Sequence, residues 1–414
     1  MSETIERPKR KNPILKTREP TLPPDRRSRV ALGLTRGAAL GRFELQYCVA
    51  CGAAQYPPRE ACFECLSIDL EWRAAEGRGL LLSDTTLRHS QELYFRERTP
   101  WRLGLVRLDE GVTLVAHIDH RCGSAPQRVR VEAALDRAGQ TALVATPENE
   151  KSALSDEPKL RDMTSDLRFR KVLVTDAKSP VGQATVRAAL DAGADLVWAG
   201  YCEPWRNPPG WSAIASLPKT ALVPLDVTDT RSVNELAAEL GFKVDILINT
   251  AEHHRTFGVF DRRGVDTAKG EMETNYFGLL RLAQAFGPVM RARGADGFAS
   301  AVAWVNLLSI YALSNFPAHA TYSASMAAGL SAAQALRAEM RKAGVRVVNV
   351  FPGPIDDEWN QLQLPPKLSP SAVARAVVGA LQGTVEDVYP GDIAQDWLAR
   401  WRDNPKALER ELGQ

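Results

Sequence analysis

From Arg170 onward, short apolar runs alternate with stretches of helical length. The runs fall at residues 171–175, 196–199, 221–225, 244–249, 303–308 and 345–351, and the first helical stretch at 181–192. Runs this apolar suit strands covered on both faces, and parallel neighbours need a long return connection that a helix supplies. The alternation therefore predicts a doubly wound parallel α/β sheet over residues 169–414.

The N-terminal half follows different rules. Cys48-Val49-Ala50-Cys51 and Cys62-Phe63-Glu64-Cys65 are two C-x-x-C knuckles separated by ten residues. Two such knuckles supply four thiolates to one tetrahedral Zn2+, a closed structural site with no position left for water. Short strand-like runs follow at 79–83, 103–108, 112–116, 127–131 and 141–145, with a hairpin turn at Asp109-Glu110-Gly111. Several short strands with turn signals between them predict a small β-barrel. His117, His120 and Cys122 lie close in sequence, but their spacing does not put all three on one strand face. They read as turn and strand-end residues rather than as a second metal site.

The knuckles, with the turns Tyr56-Pro57-Pro58-Arg59, Glu76-Gly77-Arg78-Gly79 and Leu108-Asp109-Glu110-Gly111, resemble the zinc-ribbon/OB-fold family associated with acyl-CoA enzymes. The resemblance covers residues 36–148. It implies a rubredoxin-like ribbon followed by an OB-fold barrel near the path of acyl-CoA. It also implies a non-catalytic role beside a thiolase-like enzyme or a hydratase.

Residues 1–35 are basic and proline-rich (Arg7-Pro8-Lys9-Arg10-Lys11) and read as a disordered tail. Residues 149–168 are polar and broken by proline, which makes them a linker. The 414 residues carry a net charge of only +2, which gives no reason to expect nucleic acid or a membrane surface. No apolar run approaches the roughly 20 residues of a transmembrane helix, and no apolar leader opens the chain. Cysteines gathered into metal-type pairs suggest a reducing compartment, and so the cytoplasm.

A second resemblance covers residues 169–400. The fifth run ends in Ser309, Tyr322 follows thirteen positions later, and Asn275 with Gly278 forms Asn-x-x-Gly. Asp226-Val227 follows the third run, Asn249 closes the fourth, and Pro352-Gly353 follows the sixth. These positions, with Thr175 and Gly182 after the first run, resemble the short-chain dehydrogenase/reductase family. The resemblance implies that Asn275 positions a water, Ser309 polarises a carbonyl and Tyr322 is the acid/base. It implies NAD(P) contacts at Thr175, Gly182, Asp226, Val227, Asn249, Pro352 and Gly353. It further implies oligomers formed through the helices that carry Asn275 and Tyr322.

The sequence departs from the family at the positions that matter most for that cofactor. The lysine expected four residues after the tyrosine is Met326. A thioether neither favours a phenolate nor holds a ribose. The glycine-rich loop reads Thr175-Asp176-Ala177-Lys178-Ser179-Pro180-Val181-Gly182, with Asp176 and Pro180 in place of two glycines. Asp176 adds a carboxylate where a diphosphate would rest, and Pro180 removes an N–H while suiting the first turn of a helix. Lys178 offsets some of that charge without restoring the contact. Asn249-Thr250-Ala251-Glu252 has Glu where the family has Gly, adding a second carboxylate. His253 and His254 read as exposed loop histidines, with contact to an acyl or phosphate group as the alternative. No acid marks the end of the second run, so NAD and NADP are not distinguished.

These features lead to an expectation of an accessory protein of acyl-CoA metabolism with impaired or absent NAD(P) binding. Its ribbon and barrel would dock a thiolase-like enzyme or acyl-CoA. The alternative is an active NAD(P)-dependent 3-hydroxyacyl-CoA dehydrogenase that binds its nucleotide through compensating contacts.

Overall fold

The computed structural model describes residues 21–150, 154–157, 159–295 and 300–414. They form two compact units, one of Thr21–Asp166 with Gln382–Glu386, the other of Leu167–Leu381 with Asp387–Gln414. The basic stretch at residues 7–11 lies outside the described residues. The stretch expected as a tail through residue 35 already contains a helix, Leu32–Ala39, whose Leu34, Gly37 and Ala38 are buried.

In the first unit a three-stranded antiparallel sheet comes first, β1 (Glu44–Cys48), β2 (Ala54–Gln55) and β3 (Leu70–Ala74), in the order β2-β1-β3. A five-stranded barrel follows, β4 (Arg78–Leu87), β5 (Trp101–Leu108), β6 (Thr113–Ile118), β7 (Gln127–Leu135) and β8 (Thr141–Pro147). It closes in the order β4-β5-β6-β8-β7, with β7 paired back to β4. All five expected barrel runs are strands. Closure removes the exposed edges that a sheet this short would otherwise present. The interior is aliphatic, with Leu81, Val106, Leu114, Val129, Val131 and Leu143 at its centre.

The expected linker is more ordered than its composition suggested. Residues Leu160–Met163 form a 3-10 turn whose Leu160 and Met163 pack with Trp101, Ala134 and Val144. Asp162 accepts hydrogen bonds from the Tyr94 hydroxyl at 2.9 Å and from Arg98 Nε at 3.1 Å. Two apolar side chains three residues apart, with a carboxylate between them, are enough to pin that turn to the barrel.

The second unit holds seven parallel strands: β9 (Lys171–Val174), β10 (Leu196–Tyr201), β11 (Thr220–Pro224), β12 (Ile246–Asn249), β13 (Ala303–Leu307), β14 (Arg346–Val350) and β15 (Asp387–Val388). Their order is β11-β10-β9-β12-β13-β14-β15. The six expected strands are present; the two-residue β15 is too short to leave a periodic signal. Leu173, Leu247, Trp304 and Val347 project from the sheet onto Phe286, Met290, Ala333 and Met340 of the covering helices. Strand order reverses between β9 and β12, so the crevice for a ligand opens at the carboxyl ends of β9, β12 and β13.

Candidate functional site

The metal site in the first unit is built by two tight turns. Cys48 ends β1, and the Gly52 N–H returns to its carbonyl at 2.9 Å, a turn that holds Gly52 at φ +77°. The Leu66 N–H returns in the same way to the carbonyl of Cys62 at 3.0 Å. The four Sγ atoms of Cys48, Cys51, Cys62 and Cys65 lie within 4.8 Å of one another. Cys48 Sγ is 3.6 Å from Cys65 Sγ, and Cys51 Sγ 3.6 Å from Cys62 Sγ. Zinc–thiolate bonds of about 2.3 Å require tetrahedral edges of about 3.8 Å, so the donor set fits one Zn2+ with every position filled. Among the described residues this is the one cluster of three or more potential metal ligands drawn together. His117 is half-buried and accepts at Nδ1 from the Trp101 indole N–H at 2.7 Å, whereas His120 is exposed beside Asp119. Cys122 is buried in the barrel core.

At the crevice of the second unit, the family-type residues hold backbone. Thr175 Oγ1 donates to Asn249 Oδ1 at 2.8 Å and accepts from the N–H groups of Thr250 and Ala251 at 3.0 and 3.2 Å. Asn275 lies in a π-turn, Glu273–Gly278, and clamps His253 by accepting from its N–H at 2.8 Å and donating to its carbonyl at 2.9 Å. A Cβ on Gly182 would lie 1.8 Å from the Asp176 carbonyl oxygen, so the loop and helix approach there only because glycine has none. Gly278 makes similar room for the buried Val227. Asp226 accepts from the N–H and hydroxyl of Thr228 at 2.8 and 2.7 Å. The Pro352 carbonyl accepts from the Ile310 N–H at 3.0 Å, and Gly353 packs under Ile393.

The phosphate loop is internally satisfied. Asp176 Oδ1 accepts from the N–H groups of Lys178 at 3.0 Å and Ser179 at 3.3 Å. Ser179 caps the helix Pro180–Asp191 by accepting from the Gly182 N–H at 3.0 Å, with Pro180 in the first turn. The Asp176 carboxylate thus sits among amides of the kind that bind an anion at a helix N-terminus. Burial pushes its carboxyl above the ordinary value, although the backbone donors pull the other way. Lys178 favours the charged form of Asp176 without hydrogen bonding to it. Its ammonium donates to the Glu203 carbonyl at 2.6 Å and lies 5.1 Å from the Tyr201 ring and 5.4 Å from the Trp211 ring. Cation–π contact and burial keep it there.

The acid/base end is rebuilt as well. Tyr322 and Met326 both lie on the helix Ala320–Arg341. Met326 is 1% exposed and packs with Leu308, Ile310, Phe351 and Trp397, an apolar side chain in an apolar cluster. Leu330, one turn further on, extends the same stripe. The Tyr322 hydroxyl donates to Glu252 Oε1 at 2.5 Å. Burial, then the nearby Glu252 charge, raises the phenol well above its ordinary value. Burial likewise brings the Glu252 carboxyl up to about 7, although the Tyr322 hydrogen bond favours its charged form. Ser309 is buried beside them and accepts from the Tyr311 N–H at 3.3 Å.

His254 is not an exposed loop residue. It is 3% exposed and stacks on Tyr322 with ring centroids 3.8 Å apart. Its Nε2 meets His319 Nδ1 at 2.5 Å, and His319 Nε2 meets Gln363 at 2.9 Å. Burial drives both imidazoles down, His254 to about 3 and His319 to about 4, so both are neutral. His253 is half-buried. Sequence reasoning had no signal for His319 or Gln363, because nothing local links them to a site 65 residues or more away in the chain.

A seven-stranded parallel sheet with this switch point, lined by Thr175, Asn249, Asn275, Ser309 and Tyr322, defines a Rossmann-type α/β domain. The chain belongs to the short-chain dehydrogenase/reductase family. Residues 170–365 match the short chain dehydrogenase family, residues 35–71 the ChsH2 rubredoxin-like zinc ribbon domain, and residues 72–138 the ChsH2 C-terminal OB-fold domain. The chain is 30% identical over 223 residues to an uncharacterised oxidoreductase of Staphylococcus haemolyticus, covering 52% of this chain and 93% of that one. It is 31% identical over 224 residues to an uncharacterised oxidoreductase of Staphylococcus aureus, covering 52% and 92%. A crystal structure of a short chain dehydrogenase from Burkholderia cenocepacia in complex with NADP matches with a TM-score of 0.54 at 32% identity, over 60% of this chain and 98% of that one. A short-chain dehydrogenase from Streptomyces avermitilis matches with a TM-score of 0.50 at 27% identity, over 58% and 96%. Among the described residues no helix is long and apolar enough to cross a membrane.

Proposed function

We propose that this protein is an accessory subunit of acyl-CoA metabolism whose dehydrogenase-type domain does not carry out nicotinamide-dependent hydride transfer. The observation that carries the reading is the Asp176 carboxylate bonded to the loop amides of Lys178 and Ser179. A diphosphate would have to displace that carboxylate and then sit beside it. Glu252 on the Tyr322 hydroxyl and Met326 in the lysine position support the same reading. In this view Asn275, Ser309 and Tyr322 are retained without their usual cofactor, and the zinc ribbon and barrel dock a thiolase-like enzyme or its acyl-CoA. The domain organisation expected from the sequence, with modules at 36–148 and 169–414, belongs to this proposal, as does a cytoplasmic setting.

A second reading, an active NAD(P)-dependent 3-hydroxyacyl-CoA dehydrogenase, is favoured by the 32% identity to the Burkholderia protein in complex with NADP. Steady-state assays in both directions separate the two, with 3-hydroxyacyl- and 3-oxoacyl-CoA of several chain lengths and either nucleotide. The accessory reading expects no turnover above the no-enzyme rate. Sustained turnover with any pair establishes the second reading.

A further inference from the structure

We propose that Glu252 and Tyr322 form a nucleotide-independent proton-transfer site for a carbonyl compound with an acidic α C–H, a ketone or a thioester. The inference goes beyond the accessory role and asks what the altered cleft can still do.

A carboxylate set against a phenol is a base beside a hydrogen-bond donor. Among the described residues no lysine or arginine forms an ion pair with Glu252, so its carboxylate is not neutralised by a fixed cation. Its side chain keeps 22% of its surface exposed, whereas Tyr322 is 3% exposed. The base is reachable and the donor is sheltered, as enolisation of a carbonyl requires.

The surrounding side chains fix both groups. With the Gln363 amide nitrogen placed toward His319, Gln363 donates to His319 Nε2. His319 then carries its proton on Nδ1 and donates it to His254 Nε2 at 2.5 Å. That leaves the His254 proton on Nδ1, which faces Glu252 Oε1 at 3.8 Å. Glu252 Oε1 is therefore approached by two donors, Tyr322 from the helix and His254 from its own loop, and the His254 ring holds the phenol by stacking.

The step balances without an oxidant or reductant. The Glu252 carboxylate takes the α proton, and the C–H electron pair becomes the enolate C=C bond. The carbonyl π pair moves onto oxygen, and the Tyr322 O–H turns to hold it from Glu252, which the α proton now neutralises, with the buried Ser309 hydroxyl alongside. Glu252 then returns the proton to the same carbon, giving exchange, or to a conjugated carbon, giving isomerisation. Asp357 and Asp176 also face Glu252, each from its own loop, and raise its carboxyl further. Of these groups Glu252 is the one brought to about 7, so the active form accumulates as pH rises through neutrality.

The test is deuterium incorporation from D2O into C2 of butanoyl-CoA and the α positions of cyclopentanone, followed by proton NMR on the full chain without nucleotide. The expected result is exchange above the buffer rate for at least one probe, increasing with pH through about 7. Glu252→Gln and Tyr322→Phe should each lose about 100-fold, and Glu252→Asp should keep part of the rate. Because a variant may fail to fold, the wild-type Glu252 carboxyl is also titrated by carbon-13 NMR, with a midpoint near 7 expected. Exchange no faster than buffer with both probes, an undiminished rate in Glu252→Gln, or a carboxyl titrating near 4.5 would each overturn the proposal. Since the assay holds no nucleotide, a later finding that NADPH binds would count against the cofactor reading and leave this one standing.

Discussion

The zinc ribbon and the nucleotide cleft started from comparable sequence evidence and ended differently. At the ribbon all four ligands are present, and the fold gathers their sulfurs to within 4.8 Å. At the cleft most of the family positions survive, and several of the survivors hold structure. Thr175 ties β9 to the residues after β12, Asn275 clamps the loop at His253, and Gly182 lets the loop and helix touch. The positions that changed, 176, 180, 252 and 326, lie where the family resemblance expects the cofactor, among expected contact positions such as Thr175, Gly182 and Asn249 that are kept. Under the proposed accessory role, the kept positions named here are ones with structural work to do. A zinc site leaves no such middle course, because its ligands are the core of the lobe they hold.

That contrast can be broken or sharpened at several points. Removing the metal, by chelation or by Cys48→Ala, should have the largest effect. Apparent zinc binding is worth about 10–16 kcal/mol in isolated zinc-finger peptides, and much of that is folding energy. The expected outcome is one zinc per chain on metal analysis, and rapid proteolysis within residues 44–74 once it is gone. Survival of the ribbon without metal would erase the contrast.

Met326→Lys should lower stability by about 2 kcal/mol, because it places an ammonium in the cluster of Leu308, Phe351 and Trp397. It should also give no turnover with NADPH, since Asp176 and Pro180 remain. Measurable reduction of a 3-oxoacyl-CoA by this single variant would show that the lysine was the only functional loss.

Thr175→Val tests whether a surviving family residue is structural. It removes the hydroxyl donor to Asn249 Oδ1 and strands the Thr250 N–H, while the Ala251 N–H keeps Asn249 Oδ1 at 3.4 Å, so unfolding in urea should show a loss of about 1–3 kcal/mol. A neutral substitution would remove the second role assigned to Thr175.

A further test is a pH dependence. The folded Glu252 carboxyl lies above its ordinary value of 4.5, at about 7, so the folded state favours the protonated form. Its contribution to stability is present in full below pH 4.5 and is lost as pH rises through 7. Glu252→Gln carries no such group, so its stability relative to the wild type should improve from pH 4.5 to 8. Parallel stability curves would mean that the carboxyl is not perturbed.

Much of this was legible beforehand for physical reasons. Alternating buried strands and helices specify the doubly wound sheet, and cysteine spacing specifies the ribbon, because both are local patterns. The sequence also marked Asp176 and Glu252 as carboxylates in glycine positions. What it did not reveal was where those carboxylates go. Asp176 folds back onto its own amides, Glu252 reaches a phenol 70 residues away, and His254 turns inward because Tyr322 and His319 offer it two rings. Such contacts depend on tertiary packing and leave no periodicity. Lys178 was read as offsetting some of the loop's charge, and it does favour the Asp176 carboxylate, from a place against the rings of Tyr201 and Trp211.

The central claim is that the loop after β9 has already accepted an anion, its own Asp176. Calorimetric titration of the full chain with NADPH and with NADH tests it directly. No saturable heat at millimolar nucleotide is the predicted result, and micromolar binding of either nucleotide would contradict it.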